Sequence, residues 1–453
     1  MNIKLIVTST IVSVILLAVF VAVFFRAPSS DETEFSKEKV DKEITEVESE
    51  VESDIESEVK SVEKEDAKGD FVPSDNYTTL ELATVSNPEN IDVTVPPEFK
   101  RLSFVAVGDN IIHSSIYSDA MDLAAGTGQE YNFLPIYENV ADIIKEADLA
   151  YVNQEAPIAG KERTISGYPM FNSPDQVGYD LIELGFDIVN LANNHMLDRY
   201  AAGYQRTIDF WKDKEGITYI GGYENREDYN NIRVVEKNGI SIAFLSYTYG
   251  TNGINLDRGS QMIVPLCDES GTAEIDRMTK LAREKADIVI VSIHWGHEDW
   301  FKPSDLQKEQ MQVMVNNGVD VILGTHPHVL QPMMWQDRPD GGRTLVVYSM
   351  GNFLSGMLYV RNMVGGIAGF DLLKAGDHAY VSNPYFIPTV SHYDLSWRGF
   401  KLYKFSEYTE ALYNRHRTNK ISDPGHDFSY MRKIIDDAIP NEFLIEDFYR
   451  EEQ

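Results

Sequence analysis

Six apolar runs in this chain end on a carboxylate, an amide or an imidazole. FVAVGD stops on Asp109, LAYVNQE on Asn153 and Glu155, and DIVNLANNH on Asn193, Asn194 and His195. DIVIVSIHWGH stops on His294 and His297, DVILGTHPH on His326 and His328, and TLVVYSMGN on Ser349 and Asn352. Runs of this length and β-branched content read as strands buried on both faces, as in parallel sheets. In such sheets ligands gather just beyond the carboxyl ends of the strands. The six endings therefore predict one rim on which acids, amides and imidazoles converge. Those side chains are the donor set of a transition-metal hydrolase centre.

The 453 residues leave room for more than one domain. A formal net charge of −32 argues against nucleic acid as a partner, because phosphate binding needs clustered Lys and Arg. The single cysteine, Cys267, rules out an intramolecular disulfide framework and a Cys-rich zinc site. Set in IVPLCDE, it reads as a packing residue.

Leu5 to Phe25 are apolar except for Ser and Thr, a stretch long enough to cross a bilayer as a helix. It ends in FFRAPSS, which lacks the small-x-small pattern of a cleavage site. Residues 1–30 are therefore read as a retained signal anchor, with a cleaved signal peptide as the competing reading. Lys4 and Arg26 nearly balance the flanks. The long remainder after so early an anchor predicts a single-pass protein of the bacterial cell membrane with an extracytoplasmic domain. Residues 31–100 form an acidic stalk and linker. Between 31 and 70 there are 17 acidic and 6 basic residues, the composition of a solvated tether. Val40, Ile44, Val47, Val51, Ile55, Val59 and Val62 nevertheless fall on one helical stripe, so a stalk helix pairing as a parallel dimer is the alternative. Pro73, Pro88, Pro96 and Pro97 mark the linker.

From Arg101 onward strands and helices alternate. IYENVADIIKEA, QVGYDLIELG, AGYQRTIDFWKDKEG, TAEIDRMTKLAREKA and PSDLQKEQMQVMVNNG carry helical spacing, and ISIAFLSYTY and GIAGFDLL read as further strands. That count suggests two sheets packed together with helices outside. Asp148, Asp187, Asp287 and Asp320 each precede an apolar strand, where turn chemistry accounts for them, at the ends opposite the rim. Residues 101–395 are taken as the main domain. Residues 396–453, with FKLYKF and RKIIDDAI, are taken as a C-terminal appendage whose His416 and His426 are surface residues. His378 and His392 read as structural or superficial, and Trp295 as a packing wall.

In this order GDNIIH, VNQEAP, LANNHMLD, SIHWGHE, GTHPHVLQP and YSMGNF resemble the CapA (PgsA) family of capsule and poly-γ-glutamate biosynthesis proteins, an offshoot of the calcineurin-like metallophosphoesterases. The resemblance covers roughly residues 101–395 and implies a four-layer α/β/β/α sandwich. It implies one ion held by Asp109, Glu155 and His328, and another by Glu155, Asn194, His294 and His326, with His195 as general acid. Mixed oxygen and nitrogen donors suit Mn, Fe or Zn. Asn110, His113, Asn153, Asn193, Asp198, His297, Glu298 and Asn352 fall within or beside the same motifs as supporting or substrate-contacting residues. Asp198 would either orient His195 or cap a helix. Arg163 and Arg199 are the basic candidates for a carboxylate or phosphate.

Two departures from the phosphoesterase pattern stand out. Ile111 occupies the position where a histidine usually follows the first aspartate, and Glu155 stands where the bridging residue is usually Asp. The resemblance also implies capsule synthase and export subunits as partners, and poly-γ-glutamate or another anionic polymer as ligand. A non-catalytic assembly or polymer-binding subunit with a vestigial metal site is the alternative function.

Overall fold

The chain lays down half of one sheet, builds a second, and returns to complete the first. The computed structural model describes residues 99–418 and 427–445. The anchor, the stalk with its dimer, and His426 lie outside the described residues. Among the described residues no helix is long and apolar enough to cross a membrane.

Strands β1 (Phe99–Asn110), β2 (Leu149–Gln154), β3 (Ile188–Asn190) and β4 (Thr218–Ile220) run parallel in sheet one. The chain then forms sheet two from β5 (Arg233–Lys237), β6 (Ile240–Thr248), β7 (Ile288–His294), β8 (Val321–Thr325), β9 (Leu330–Asp337) and β10 (Arg343–Met350). Its order is β5-β6-β7-β8-β10-β9, with antiparallel strands at both edges. Finally β11 (Asn352–Leu354), β12 (Val364–Ala375), β13 (His378–His392) and β14 (Lys401–Lys404) rejoin sheet one. Its order is β14-β13-β12-β1-β2-β3-β4, with β11 parallel to the end of β1.

Alternation along the strands sorts side chains into layers. Phe104, Tyr151 and Ile188 of sheet one meet Ile242, Ile290 and Leu323 of sheet two in one shared core. Val105, Val107, Val152 and Val189 point the other way, toward helices α1 (Ser114–Leu123), α2 (Asp175–Glu183) and α3 (Tyr200–Lys212). Val289, Val291 and Ile322 face α4 (Thr272–Arg283) and α5 (Asp305–Asn316), the latter started by a Ser304/Gln307 capping box. The result is helix, sheet, sheet, helix. Each fully shielded Ile or Leu contributes about 2–3 kcal/mol to holding the layers together. Cys267 is buried in the outer core of sheet two, as its setting predicts.

The tail differs from the expected appendage. Its Lys401–Lys404 pairs with β13, whose outer edge would otherwise leave backbone groups open. Helix α6 (Phe428–Ala438) presses Met431, Ile434 and Ile435 into the core between the sheets. His416 is buried rather than superficial, packed against His392 and Tyr393, and buried His392 takes the structural one of its two readings.

The four aspartates before the strands also do more than shape turns. The Asp148 carboxylate accepts the Ser103 amide at 2.8 Å, Asp187 that of Ala150 at 2.8 Å, Asp287 that of Ser241 at 2.9 Å and Asp320 that of Val289 at 2.8 Å. Each acid thus holds the beginning of the neighbouring strand, where the ladder leaves an amide unpaired.

A bulge in β1 decides what the rim contains. Val107 pairs with Val152 but Asp109 with Asn153, so Gly108 is an extra residue. Without it Asp109 would follow Val105 and Val107 toward the helices; with it, Asp109 turns between the sheets. Gly108 also lies against the β10–β11 turn, where an added Cβ would stand 1.9 Å from the Gly351 carbonyl oxygen. Gly108→Ala is expected to cost about 3 kcal/mol, read as a fall in the urea midpoint. An unchanged midpoint would show that the turn yields freely.

Candidate metal centre

The face that is apolar deep between the sheets becomes polar at the carboxyl ends of the strands. Past Phe104 and the bulge comes Asp109, past Tyr151 comes Asn153, past Ile188 comes Asn190, and past Ile290 comes His294. Glu155 follows β2, Asn194 follows β3, and His326 and His328 follow β8. Five chain segments distant in sequence therefore meet at one place.

The distances are short. His328 Nδ1 lies 3.0 Å from Asp109 Oδ2, and its Nε2 3.7 Å from Glu155 Oε1. His294 Nδ1 is 3.9 Å from Asp109 Oδ1, its Nε2 is 3.9 Å from Glu155 Oε1, and Asn194 Oδ1 is 3.0 Å from the same Nε2. The His326 ring centroid is 4.8 Å from that of His294, and its backbone N–H donates to Asp109 Oδ2 at 3.2 Å. All six of these side chains are buried. Two sets offer atoms close enough to share an ion: Asp109, Glu155 and His294, and Glu298, His326 and His328. Glu298 is exposed, so the second set opens to solvent.

The HisProHis loop is held under backbone strain. His326 has φ 96° and His328 φ 57°, in the left-handed region that side chains other than glycine seldom occupy. Asn352 Oδ1 lies 3.1 Å from His328 Nδ1, and the Asn352 amide donates to the Asn362 carbonyl at 2.9 Å. Asn362 Nδ2 in turn donates to the His328 carbonyl at 3.3 Å and to Asp299 at 2.8 Å. Arg361 donates to the same Asp299 carboxylate. This clamp keeps both imidazoles turned inward.

Burial and mutual charge make the centre poorly balanced by itself. Both Glu155 carboxylate oxygens are buried without a hydrogen-bond partner among the described residues, as is His326 Nδ1. Burial, then the adjacent Asp109, pushes the Glu155 carboxyl well above the carboxylate range. Burial, then their histidine neighbours, pushes His294 and His326 well below the usual imidazole value. For His328 burial is the largest influence and pulls downward, but Glu155 and Asp109 together outweigh it and raise the ring to about 10. Unpartnered oxygen and nitrogen lone pairs facing one point, with two acids among them, fit a divalent cation.

The other sequence candidates divide. Asn153 donates to Asp109 Oδ1 at 2.7 Å and so orients it. Asp198 Oδ2 is 2.8 Å from His195 Nδ1 and also accepts the Phe171 amide at 2.7 Å. It therefore orients His195, and α3 has no side-chain cap. Asn110 does not belong to the centre, because the bulge sends it to the helix side, where it bonds Gln154 and Tyr137. Asn193 forms a local turn, accepting the His195 amide and donating to the Gln154 carbonyl. His297 is exposed and packs on Trp300 at 4.4 Å. His113 accepts the Gly356 amide at 3.1 Å instead of reaching the carboxylates. Arg163 is engaged within its own loop by Ala159, and Arg199, at the start of α3, reaches across to Ser166 and Met170 of that loop.

Some neighbours were not anticipated. Thr325 Oγ1 sits 2.9 Å from His294 Nδ1, and Asn190 donates to Asn153 at 2.8 Å. Tyr249 covers His326 with ring centroids 4.3 Å apart. Asn190 ends an apolar run and carried the same signal as its neighbours. Asp299 and Asn362 carried none.

Residues 103–357, which contain every candidate donor of this centre, match the model of the bacterial capsule synthesis protein PGA_cap. The chain belongs to the PGA_cap family. Relatives of this PGA_cap chain include the capsule biosynthesis protein CapA of Bacillus anthracis, 28% identical over 289 residues, which cover 62% of this chain and 66% of that protein. The PGA biosynthesis protein CapA of Bacillus subtilis (strain 168) is 29% identical over 206 residues, covering 45% and 52%. The matches thus span slightly under two thirds of the first relative's length and about half of the second's. Among solved structures, the calcineurin-like phosphoesterase YfkN from Bacillus subtilis aligns with a TM-score of 0.38 at 16% identity, covering 64% of this chain and 91% of that one. A putative 5'-nucleotidase from Staphylococcus aureus aligns with a TM-score of 0.37 at 11% identity, covering 74% and 58%.

Proposed function

We propose that this PGA_cap protein is a metal-dependent hydrolase of the phosphoesterase type, acting in the synthesis, export or attachment of a capsular polymer such as poly-γ-glutamate. One observation carries the reading: the buried, unpartnered Glu155 carboxylate within 4 Å of both His294 and His328. Asp109, Glu155 and His294 would hold one ion, and His326, His328 and Glu298 a second, with Glu155 within reach of both sets. Asn194 adds an oxygen donor beside His294. Ile111, buried on the helix side, supplies no ligand, and Glu298 offers a donor on the solvent side instead.

Bound Mn, Fe or Zn would supply a water of lowered pKa and neutralise charge on a phosphoryl oxygen. The residues of the chain do the rest. Asn153 and the clamp through Asn362 fix the direction of Asp109 and His328. Asp198 fixes the His195 ring, which stands ready to protonate the leaving oxygen. Water adds to phosphorus, the ester bond breaks, and the leaving oxygen takes the proton of His195.

Leu5–Phe25 would anchor the protein in the cell membrane with this domain outside, alongside synthase and export subunits. Metal analysis and turnover of the purified protein on a phosphoester panel test the enzymatic reading. About two ions per chain are expected, with turnover falling more than about 100-fold in Asp109→Ala. Unaltered turnover in that variant would refute the assignment. Stoichiometric metal without hydrolysis of any ester would favour an assembly subunit.

A further inference from the structure

Asn194 can serve a cation with only one end of its amide. The oxygen offers lone pairs, whereas the nitrogen carries two N–H groups that a cation repels. Asn194 Oδ1 is the end that faces the centre, 3.0 Å from His294 Nε2. The nitrogen end points away and donates to Asn252 Oδ1 at 3.3 Å. The Tyr249 hydroxyl also hydrogen-bonds the Asn194 side chain, but a hydroxyl serves either end of an amide, whereas a carbonyl oxygen only accepts. The other end of Asn252, Nδ2, lies 3.3 Å from His195 Nδ1. One amide from a distant loop thus touches both a metal donor and the proposed general acid.

The chain places this amide by turn chemistry. Thr251 to Ile254 form a tight turn, closed by the Ile254 N–H on the Thr251 carbonyl at 2.9 Å. Its central residues, Asn252 and Gly253, have φ of 51° and 76°, left-handed values that an Asn-Gly pair adopts readily. Both flanks are pinned. Tyr249 covers His326, and its backbone N–H donates to the His294 carbonyl at 2.9 Å. Ile254 and Leu256 pack against the cluster of Met196, Leu197, Tyr204 and Ile208, which begins directly after His195. The backbone alone explains why an asparagine stands at 252. It does not explain why the side chain of so exposed a residue is turned onto Asn194 and His195.

We infer that Asn252 is a positioning residue for the metal: by accepting the Asn194 N–H, it keeps the oxygen end of that amide turned to the ion. This role presupposes the proposed metal centre, in which Asn194 is an oxygen donor.

The test strips the purified full chain of metal with a chelator, removes the chelator, and titrates the protein with Mn by calorimetry. Asn252→Gly keeps the turn, because glycine takes the same backbone angles, and removes only the amide. It should weaken Mn binding about tenfold. Asn252→Asp keeps an acceptor toward Asn194 and should bind Mn at least as tightly as the parent. Asn194→Asp supplies the decisive background, since a carboxylate has oxygen at both ends and needs no orienting. There Asn252→Gly should change the Mn affinity by less than about twofold. A residue that merely supported the loop would cost the same factor in both backgrounds. Equal Mn affinity in the parent and Asn252→Gly, or equal losses in both backgrounds, would overturn the inference and leave the metal centre standing. A parent that binds no Mn would end the metal reading and this role with it.

Discussion

Stripping divalent metal from the purified protein is expected to lower its melting temperature by about 10 °C, and adding Mn or Zn back to restore it. The reason lies in what is buried. Without a cation the chain must shelter Asp109, the unpartnered Glu155 carboxylate and three imidazoles together. Such groups cost several kcal/mol when their charge is uncompensated. A ligand that binds only the folded state at about 1,000 times its Kd stabilises it by about 4 kcal/mol. For a domain of this size that is about 10 °C. Glu155→Gln sharpens the test, since it keeps the shape and removes the charge. The variant should melt at one temperature with or without metal, and in chelator it should be no less stable than the parent. Calorimetric scans that coincide for the parent with and without metal would count against the centre.

Acid is expected to weaken the fold well before the carboxylates titrate, and the cause lies away from the centre. His392 and His416 pack together with ring centroids 5.0 Å apart where the tail meets the end of β13. His416 Nε2 lies 3.2 Å from the Ser391 carbonyl, while Nδ1 accepts the Thr418 amide at 3.0 Å. A proton on Nδ1 would face that donor. His392 Nδ1 meets the Tyr408 hydroxyl at 2.8 Å. Burial, then Arg415, lowers His392 to about 4 despite the opposing Asp394; burial, then His392, lowers His416 to about 3.

The sign follows directly. Unfolded histidines near 6.5 bind protons that the folded rings refuse, so the stability they confer is full above pH 6.5 and drains as pH falls toward 4 and below. The loss is on the order of 3 kcal/mol per ring. Urea midpoints measured from pH 7 to pH 4 should fall steeply in the parent and less in His416→Asn, whose amide can replace both hydrogen bonds. Parallel slopes for the two proteins would show that these rings are not the cause.

Much of the centre was legible in the sequence because of one regularity. An apolar run must be buried, and in parallel strands its carboxyl end is where polar side chains can gather. Asp109, Glu155, Asn194, His294, His326 and His328 were all found by that rule, and the sandwich by the count of strands and helices. Asn110 was placed wrongly because one extra residue in β1 reverses which neighbour faces inward, and Gly108 looks like any other glycine in a strand. His416 was misjudged for a related reason. His416 lies among polar residues in sequence, but the end of β13 brings His392 and Tyr393 against its ring, and burial by a distant segment leaves no local mark.

The motifs carried the resemblance to the family; composition, the ordering of apolar runs and the residues that close them determined the class of fold and the candidate donors of the centre. These follow from local rules of burial and periodicity. Only the tertiary structure decided which donors face one another and that Asp299 and Asn362 clamp His328 from afar. Those depend on strand register and on contacts between distant segments, which local residue spacing does not specify.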